Sequence, residues 1–269
     1  DRLDTFIRVA KALAKNEKDS VYWTDQFYSA MLNGAIPAGR ILSNAGAEKY
    51  KPNTSLINCT LSRIVEDSIT GIGEAVKEAM VTLSSGAGIG YEFSTLRPRG
   101  AFVNGVGSST SGPLPFADIF DKACFTIASA GGRRGAQMAT FDIRHPDVVD
   151  FIKIKREDGR FRQFNISVLV SDEFMDFNNK SWDFRFPGRR NDPNFEICSD
   201  EKNSIFDYWH VEDCNYIYND DGLTLFKKYD QIEKKDLWDL MLKATYDYAE
   251  PGVIFVDRVN RENNLYFCE

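Results

Sequence analysis

The sequence predicts an α/β protein, and three observations carry that expectation. Short apolar runs of strand length, at 89–93, 139–143 and Phe164–Val170, alternate with segments whose apolar residues recur at helical spacing. Such alternation implies mostly parallel strand pairing with helices packed outside the sheet. Three glycine-rich loops fall between the apolar segments: Ser84-Ser85-Gly86-Ala87-Gly88-Ile89-Gly90, the stretch from Arg97-Pro98-Arg99-Gly100 to Gly105-Val106-Gly107-Ser108-Ser109, and Gly131-Gly132-Arg133-Arg134-Gly135-Ala136. Glycine lets backbone amides approach a ligand closely, and a neighbouring arginine supplies a fixed, always-charged fork suited to phosphate. Together the loops suggest a nucleotide-handling surface.

The elements follow in order. Leu3, Phe6, Ile7, Ala10, Leu13 and Ala14 mark a first helix, and 22–32 a second, ended by Asn33-Gly34. A loop over 37–52 leads to an apolar run at 56–61, short enough for a strand. Asp67 or Ser68 can cap a helix carrying Ile69, Ile72, Val76, Ala79, Met80 and Leu83. After the strand at 89–93, Pro113 or Pro115 opens a helix with Phe116, Ile119, Phe120, Ala123 and Ile127 on its apolar face. The strand at 139–143 precedes a helix at 146–155; Phe164–Val170 precedes a short helix at 173–177 capped by Asp172. Asn and Asp dominate 178–233, where only 182–186 resembles a strand, so this stretch reads as a peripheral excursion. Leu237, Trp238, Leu240, Met241, Ala244 and Tyr248 define a last helix before a strand at 253–256.

Composition narrows the function. The 269 residues can bury a sizeable core. A net charge of −7 argues against a general nucleic-acid surface. No run approaches the roughly 18 apolar residues of a membrane span, and no signal peptide is visible. Cys59, Cys124, Cys198, Cys214 and Cys268 lack CxxC spacing, so a reducing, cytoplasmic setting fits best. His145 and His210 are the only histidines, too few for a histidine-based triad or a His-rich metal site. His145, beside Pro146, reads as structural. Beginning at Asp1 and stopping at Glu269 without a terminal cap, the chain reads as a piece of something larger.

Gly86, Gly88 and Gly90 give GxGxG, between a helix and a following strand, which is not the dinucleotide fingerprint. No P-loop is present. A longer series of motifs is more specific: Asn58-Cys59-Thr60-Leu61, Val65-Glu66-Asp67-Ser68-Ile69, Gly88-Ile89-Gly90-Tyr91-Glu92-Phe93, Leu96-Arg97-Pro98-Arg99-Gly100, Ser111-Gly112-Pro113-Leu114-Pro115-Phe116, Gly131-Gly132-Arg133-Arg134-Gly135-Ala136-Gln137-Met138 and Tyr248-Ala249-Glu250-Pro251-Gly252. In this order they resemble the large catalytic chain of ribonucleotide reductase, most closely the adenosylcobalamin-dependent class.

The resemblance implies a ten-stranded α/β barrel of two five-stranded parallel halves. This chain would supply an N-terminal helical segment (1–50) and the first part of the barrel (51–269). By itself Cys59 reads as a small buried apolar residue; the resemblance makes it one cysteine of the substrate-reducing dithiol. Ser43, Asn44, Asn58 (where the family often has serine) and Arg134 correspond to substrate-binding positions. Asp67 corresponds to the acid that accepts from the effector deoxyribose, Arg97 to an effector-phosphate arginine, and Ile69, Gly131, Gly132, Arg133 and Gly135 to further effector-binding positions. Arg99 reads equally as a surface charge, and Cys124, on an apolar helix face, as core. The family's Asn-Pro-Cys-Gly-Glu loop, with the radical cysteine and a glutamate acid/base, is missing from the sequence, which implies inactivity of this chain alone. Further implied are a ribonucleoside di- or triphosphate substrate, a dNTP or ATP effector, adenosylcobalamin, a thioredoxin-type reductant, a complementary C-terminal half and a homodimer when complete. A non-catalytic nucleotide-binding remnant is the alternative.

Overall fold

The structure is a computed structural model that describes residues 1–50, 55–127, 135–156, 159–193 and 203–265. Two helices, α1 (Arg2–Leu13) and α2 (Ser20–Leu32), pair around Phe6, Val9, Ala10 and Met31. Asp1 caps α1 and Asp19 caps α2, each accepting a main-chain N–H one turn ahead. A short helix, α3 (Gly39–Asn44), lies where the sequence reading expects only loop. Arg8 of α1 donates to the carbonyls of Leu42 and Ala45, drawing α3 against the pair.

The main unit alternates as expected: β1 (Cys59–Leu61), α4 (Ile69–Ser84), β2 (Gly88–Glu92), a hairpin of β3 (Phe102–Val103) and β4 (Ser108–Ser109), α5 (Pro113–Thr126), β5 (Gln137–Asp142), α6 (Val148–Lys153), β6 (Phe164–Val170) and α7 (Asp172–Met175). The excursion follows as β7 (Ser181–Pro187), β8 (Ser204–Asp207) and β9 (Thr224–Glu233). Then come α8 (Lys234–Tyr248), β10 (Gly252–Phe255) and α9 (Val256–Arg261). Strands β1-β2-β5-β6-β10 form one sheet in that order, every neighbouring pair parallel.

Side chains alternate across the sheet. Ile89, Tyr91, Ala139, Phe141, Phe164, Ile166 and Val168 are buried beneath helices that contribute Ile72, Ala79, Leu83, Ala117, Phe120, Phe151, Leu237 and Met241. The opposite face carries Cys59, Leu61, Gly88, Gly90, Met138, Thr140, Asn165 and Ser167. Adjacent strands are in register there as Cys59↔Gly88, then Leu61↔Gly90↔Met138↔Asn165. No helix of the described residues covers it, and all three residues of β1 are exposed.

Three details correct the sequence reading, and one decides between its alternatives. The first strand is shorter than 56–61, because Ile57 N–H turns back to Ser55 Oγ at 3.0 Å. Of the two caps the sequence offers for α4, Ser68 holds the position, accepting Gly71 N–H at 2.9 Å. Ser171 rather than Asp172 caps α7. The excursion is more ordered than its composition suggests: β7-β9-β8 is an antiparallel sheet with Trp182, Phe184, Phe186, Leu225 and Phe226 buried. It is tied to the end of β5 by Trp182 Nε1 donating to Ile143 O (3.1 Å) and Arg185 N–H to Arg144 O (2.7 Å).

Candidate functional site

The predicted residues gather at opposite ends of the parallel sheet. Cys59 opens β1 at its N-terminal end, exposed, with its Sγ about a methyl contact (3.4 Å) from where a side chain on Gly88 would begin. Glycines opposite Cys59 and Leu61 therefore let both side chains lie close over the neighbouring strand, where a Cβ would meet Leu61 Cδ2 at 3.3 Å and Ala136 O at 3.2 Å. Asn58 is exposed and its carbonyl accepts Gly88 N–H at 2.9 Å. Asn44, nearly buried, donates to Ser55 O at 3.2 Å and accepts from Ser43 Oγ at 3.0 Å. That pair binds the end of α3 to the segment entering Cys59, so Ser43, Asn44, Asn58 and Cys59 share one neighbourhood. Arg40 reinforces it by donating to Gly86 O; no sequence signal marks that residue. The exposure of Cys59 overturns its reading as a buried apolar residue.

Gly135 belongs to this end too. A Cβ there would lie 2.6 Å from Cys124 Sγ and 3.2 Å from Leu83 Cδ2, so Gly135 itself rests directly on α4 and α5. Cys124 is core, as expected, and burial pushes its thiol up to about 11. Gly131, Gly132, Arg133 and Arg134 lie outside the described residues, as do Cys198 and Cys268.

Asp67, Ile69 and Arg97 assemble at the other end, where β1 and β2 finish. Arg97 donates through Nε to Asp67 Oδ2 (2.8 Å), through Nη2 to Asp67 O (3.1 Å) and through Nη1 to Phe102 O (2.8 Å). Asp67 also meets Arg189 of the excursion, whose Nη2 lies 2.9 Å from the same Oδ2. Sequence reasoning missed Arg189 because nothing local links it to a residue more than a hundred positions earlier. Ile69 is exposed. Arg99 is two-thirds exposed and paired with Asp150 at 3.1 Å, the surface-charge reading. Beside it a cavity of about 470 Å³ is lined by Ser111, Asp147, Lys153 and Arg160.

Both histidines have partners. His145 is buried, its Nε2–H directed to Leu96 O (2.9 Å) while Nδ1 accepts Asp147 N–H (3.0 Å), and burial holds its pKa below the usual range. This is the structural role expected of it. His210 pairs with Glu92 at 3.1 Å, near a cavity of about 220 Å³ on the uncovered sheet face. Burial disfavours the imidazolium, but Glu92 more than offsets it, and the pKa is raised. Asp142 is held below the carboxylate range because Arg144, chelating it at 2.7–3.1 Å, outweighs desolvation.

A parallel sheet bare on one face, with a thiol at one end and a carboxylate–arginine cluster at the other, suits half of a barrel. The match to known families decides the matter: the family model described as "Ribonucleotide reductase, barrel domain" fits residues 57–269. The chain belongs to the ribonucleotide reductase family. A second family model, "Ribonucleotide reductase, all-alpha domain", fits residues 3–50. The fold is accordingly an N-terminal helical region followed by the N-terminal part of an α/β barrel.

Among its relatives is the vitamin B12-dependent ribonucleoside-diphosphate reductase of Thermoplasma acidophilum, 29% identical over 85% of this chain and 25% of that protein. The enzyme of the same name from Mycobacterium tuberculosis is 28% identical over 90% of this chain and 30% of its own length. The ribonucleoside-diphosphate reductase subunit alpha of Helicobacter pylori is 26% identical over 96% and 31%. The chain thus spans about a quarter to a third of the length of these relatives. Among the described residues no helix is long and apolar enough to cross a membrane.

Proposed function

We propose that this chain is the N-terminal part of a cytoplasmic ribonucleotide reductase catalytic chain, acting by a thiyl-radical mechanism with a dNTP specificity site. The observation that carries it is Cys59, exposed on the uncovered sheet face beside Gly88 and Gly90. A cysteine radical from the complementary part of the enzyme removes the 3′ hydrogen of a ribonucleoside di- or triphosphate. The 2′ hydroxyl leaves as water. Cys59 and its partner thiol give up two electrons and two protons and close to a disulfide, which a thioredoxin-type reductant reopens. Ser43, Asn44 and Asn58 flank the substrate, and Arg134 is a further substrate-binding position by the same resemblance.

At the far end Asp67 and Arg97 hold the effector, dNTP or ATP. The two ends are separated by the length of α4, roughly 24 Å for its 16 residues. Helices α4 and α5 both run from the Asp67 end to the Gly135 end and leave Ile69, Met80, Val81, Ile119 and Phe125 exposed. Two copies packed antiparallel across these faces would set one copy's Asp67 against the other's Gly135 loop. That is how a homodimer would couple effector to substrate.

Adenosylcobalamin is the radical source by relationship, and supplies a homolysable carbon–cobalt bond when bound. The corrin would be held mainly by parts of the enzyme outside this chain. The 269-residue chain with adenosylcobalamin and dithiothreitol should convert neither CDP nor CTP, and adding the complementary half should establish turnover. Turnover by the chain alone contradicts this division of labour.

A further inference from the structure

We propose that Arg189 is a positioning residue for the nucleotide-binding end, orienting the Asp67 carboxylate so that Oδ1 meets the 3′-hydroxyl of a deoxynucleoside triphosphate. The inference rests on the effector reading above and deepens it. Arg97 Nε and Arg189 Nη2 both converge on Oδ2, at 2.8 and 2.9 Å, and among the described residues nothing donates to Oδ1. One oxygen takes the Arg97 hydrogen bond and the Arg189 ion pair while the other stays an acceptor, the arrangement a sugar hydroxyl requires. Asp67 and Arg189 are both largely buried, with 11% and 13% of their side chains exposed. With Asp213, which also pairs with Arg189, the cluster holds two arginines and two carboxylates, so their charges balance.

Arg189 is itself held firmly. Its Nη2 pairs with Asp213 at 3.0 Å, its guanidinium lies 5.2 Å from the Tyr216 ring, and its backbone bridges Tyr216. Asp213 in turn accepts from Asn215 N–H at 2.8 Å. The excursion therefore completes the site, fixing from outside the barrel the rotamer of a residue on the barrel.

The test compares the complete reductase, wild type, Arg189→Met, Arg189→Lys and Asp213→Asn, in equilibrium binding of a dNTP and its 2′,3′-dideoxy counterpart. The dideoxy analogue lacks only the hydroxyl that Oδ1 receives. Wild type should prefer the dNTP by about 10- to 100-fold, the range of a hydrogen bond to a charged group. Arg189→Met should compress that preference to within about threefold, Arg189→Lys should restore part of it, and Asp213→Asn should fall between. An unchanged ratio in Arg189→Met and Asp213→Asn, even with both affinities lowered alike, overturns the proposal while the effector reading stands. Failure of wild type to bind any dNTP overturns both.

Discussion

Among the described residues the hydrogen bonds of the Arg97 side chain are all internal, to Asp67 and to Phe102 O, so under the proposed function it would act on the effector site through Asp67. Arg97→Ala should lower dNTP affinity by about 10- to 100-fold, partly by releasing Asp67, while basal turnover of the complete enzyme stays within a few-fold. Calorimetry of effector binding checks this, and equal affinities would remove Arg97 from the site. Gly135 is constrained by space instead: Gly135→Ala should destabilise by about 1–3 kcal/mol, and Cys124→Ala in the same chain should recover part of the loss. Additive losses in chemical denaturation would show that the two do not touch. The histidines carry opposite pH signatures. His210 has a pKa raised above 6.5, so the stability it lends is full below 6.5 and fades as pH rises through the raised value. His145 has a lowered pKa, so its contribution is full above 6.5 and fades as pH falls from there. In urea titrations across that range, His210→Gln should abolish the alkaline loss and leave the acid one; an unaltered alkaline limb would contradict the assignment.

Among the elements, α8 depends on a buried lysine. Lys234 opens the helix with only 2% of its surface exposed, and its Nζ donates to the carbonyls of Glu173 and Asp176, both at 2.7 Å. It closes the C-terminal end of α7, and the Trp182 ring lies 5.4 Å from the ammonium. Lys234→Met should cost about 1–3 kcal/mol, the penalty of buried acceptors left without donors; a loss below about 0.5 kcal/mol in urea unfolding would show that water replaces it. The barrel strands and their helices were legible because each side of the sheet repeats its own period, and Phe164–Val170 is matched at both ends. The excursion was not. In β9 the pairing shifts between Phe184↔Asp230 and Arg185↔Lys228, leaving Tyr229 extra, and a bulge breaks the alternation that marks a strand. The short helix α3 was hidden for a different reason: it is held by Arg8, a contact across more than thirty residues, with no side-chain cap of its own.

For the whole molecule, the resemblance sorted the residues into a substrate set and an effector set, but only the parallel sheet sets Cys59 and Asp67 at opposite ends. The Arg189–Asp67 pair likewise exists only once the excursion folds back over the barrel. An uncovered sheet face and an exposed thiol make sense when the remainder of a barrel closes over them. The most direct test of that account is multiple-turnover deoxynucleotide formation by the complete reductase carrying Cys59→Ser. The account predicts turnover below about a tenth of wild type, a barrier change above roughly 1.4 kcal/mol, with dNTP binding intact. Turnover above that level would contradict Cys59 as half of the reducing dithiol.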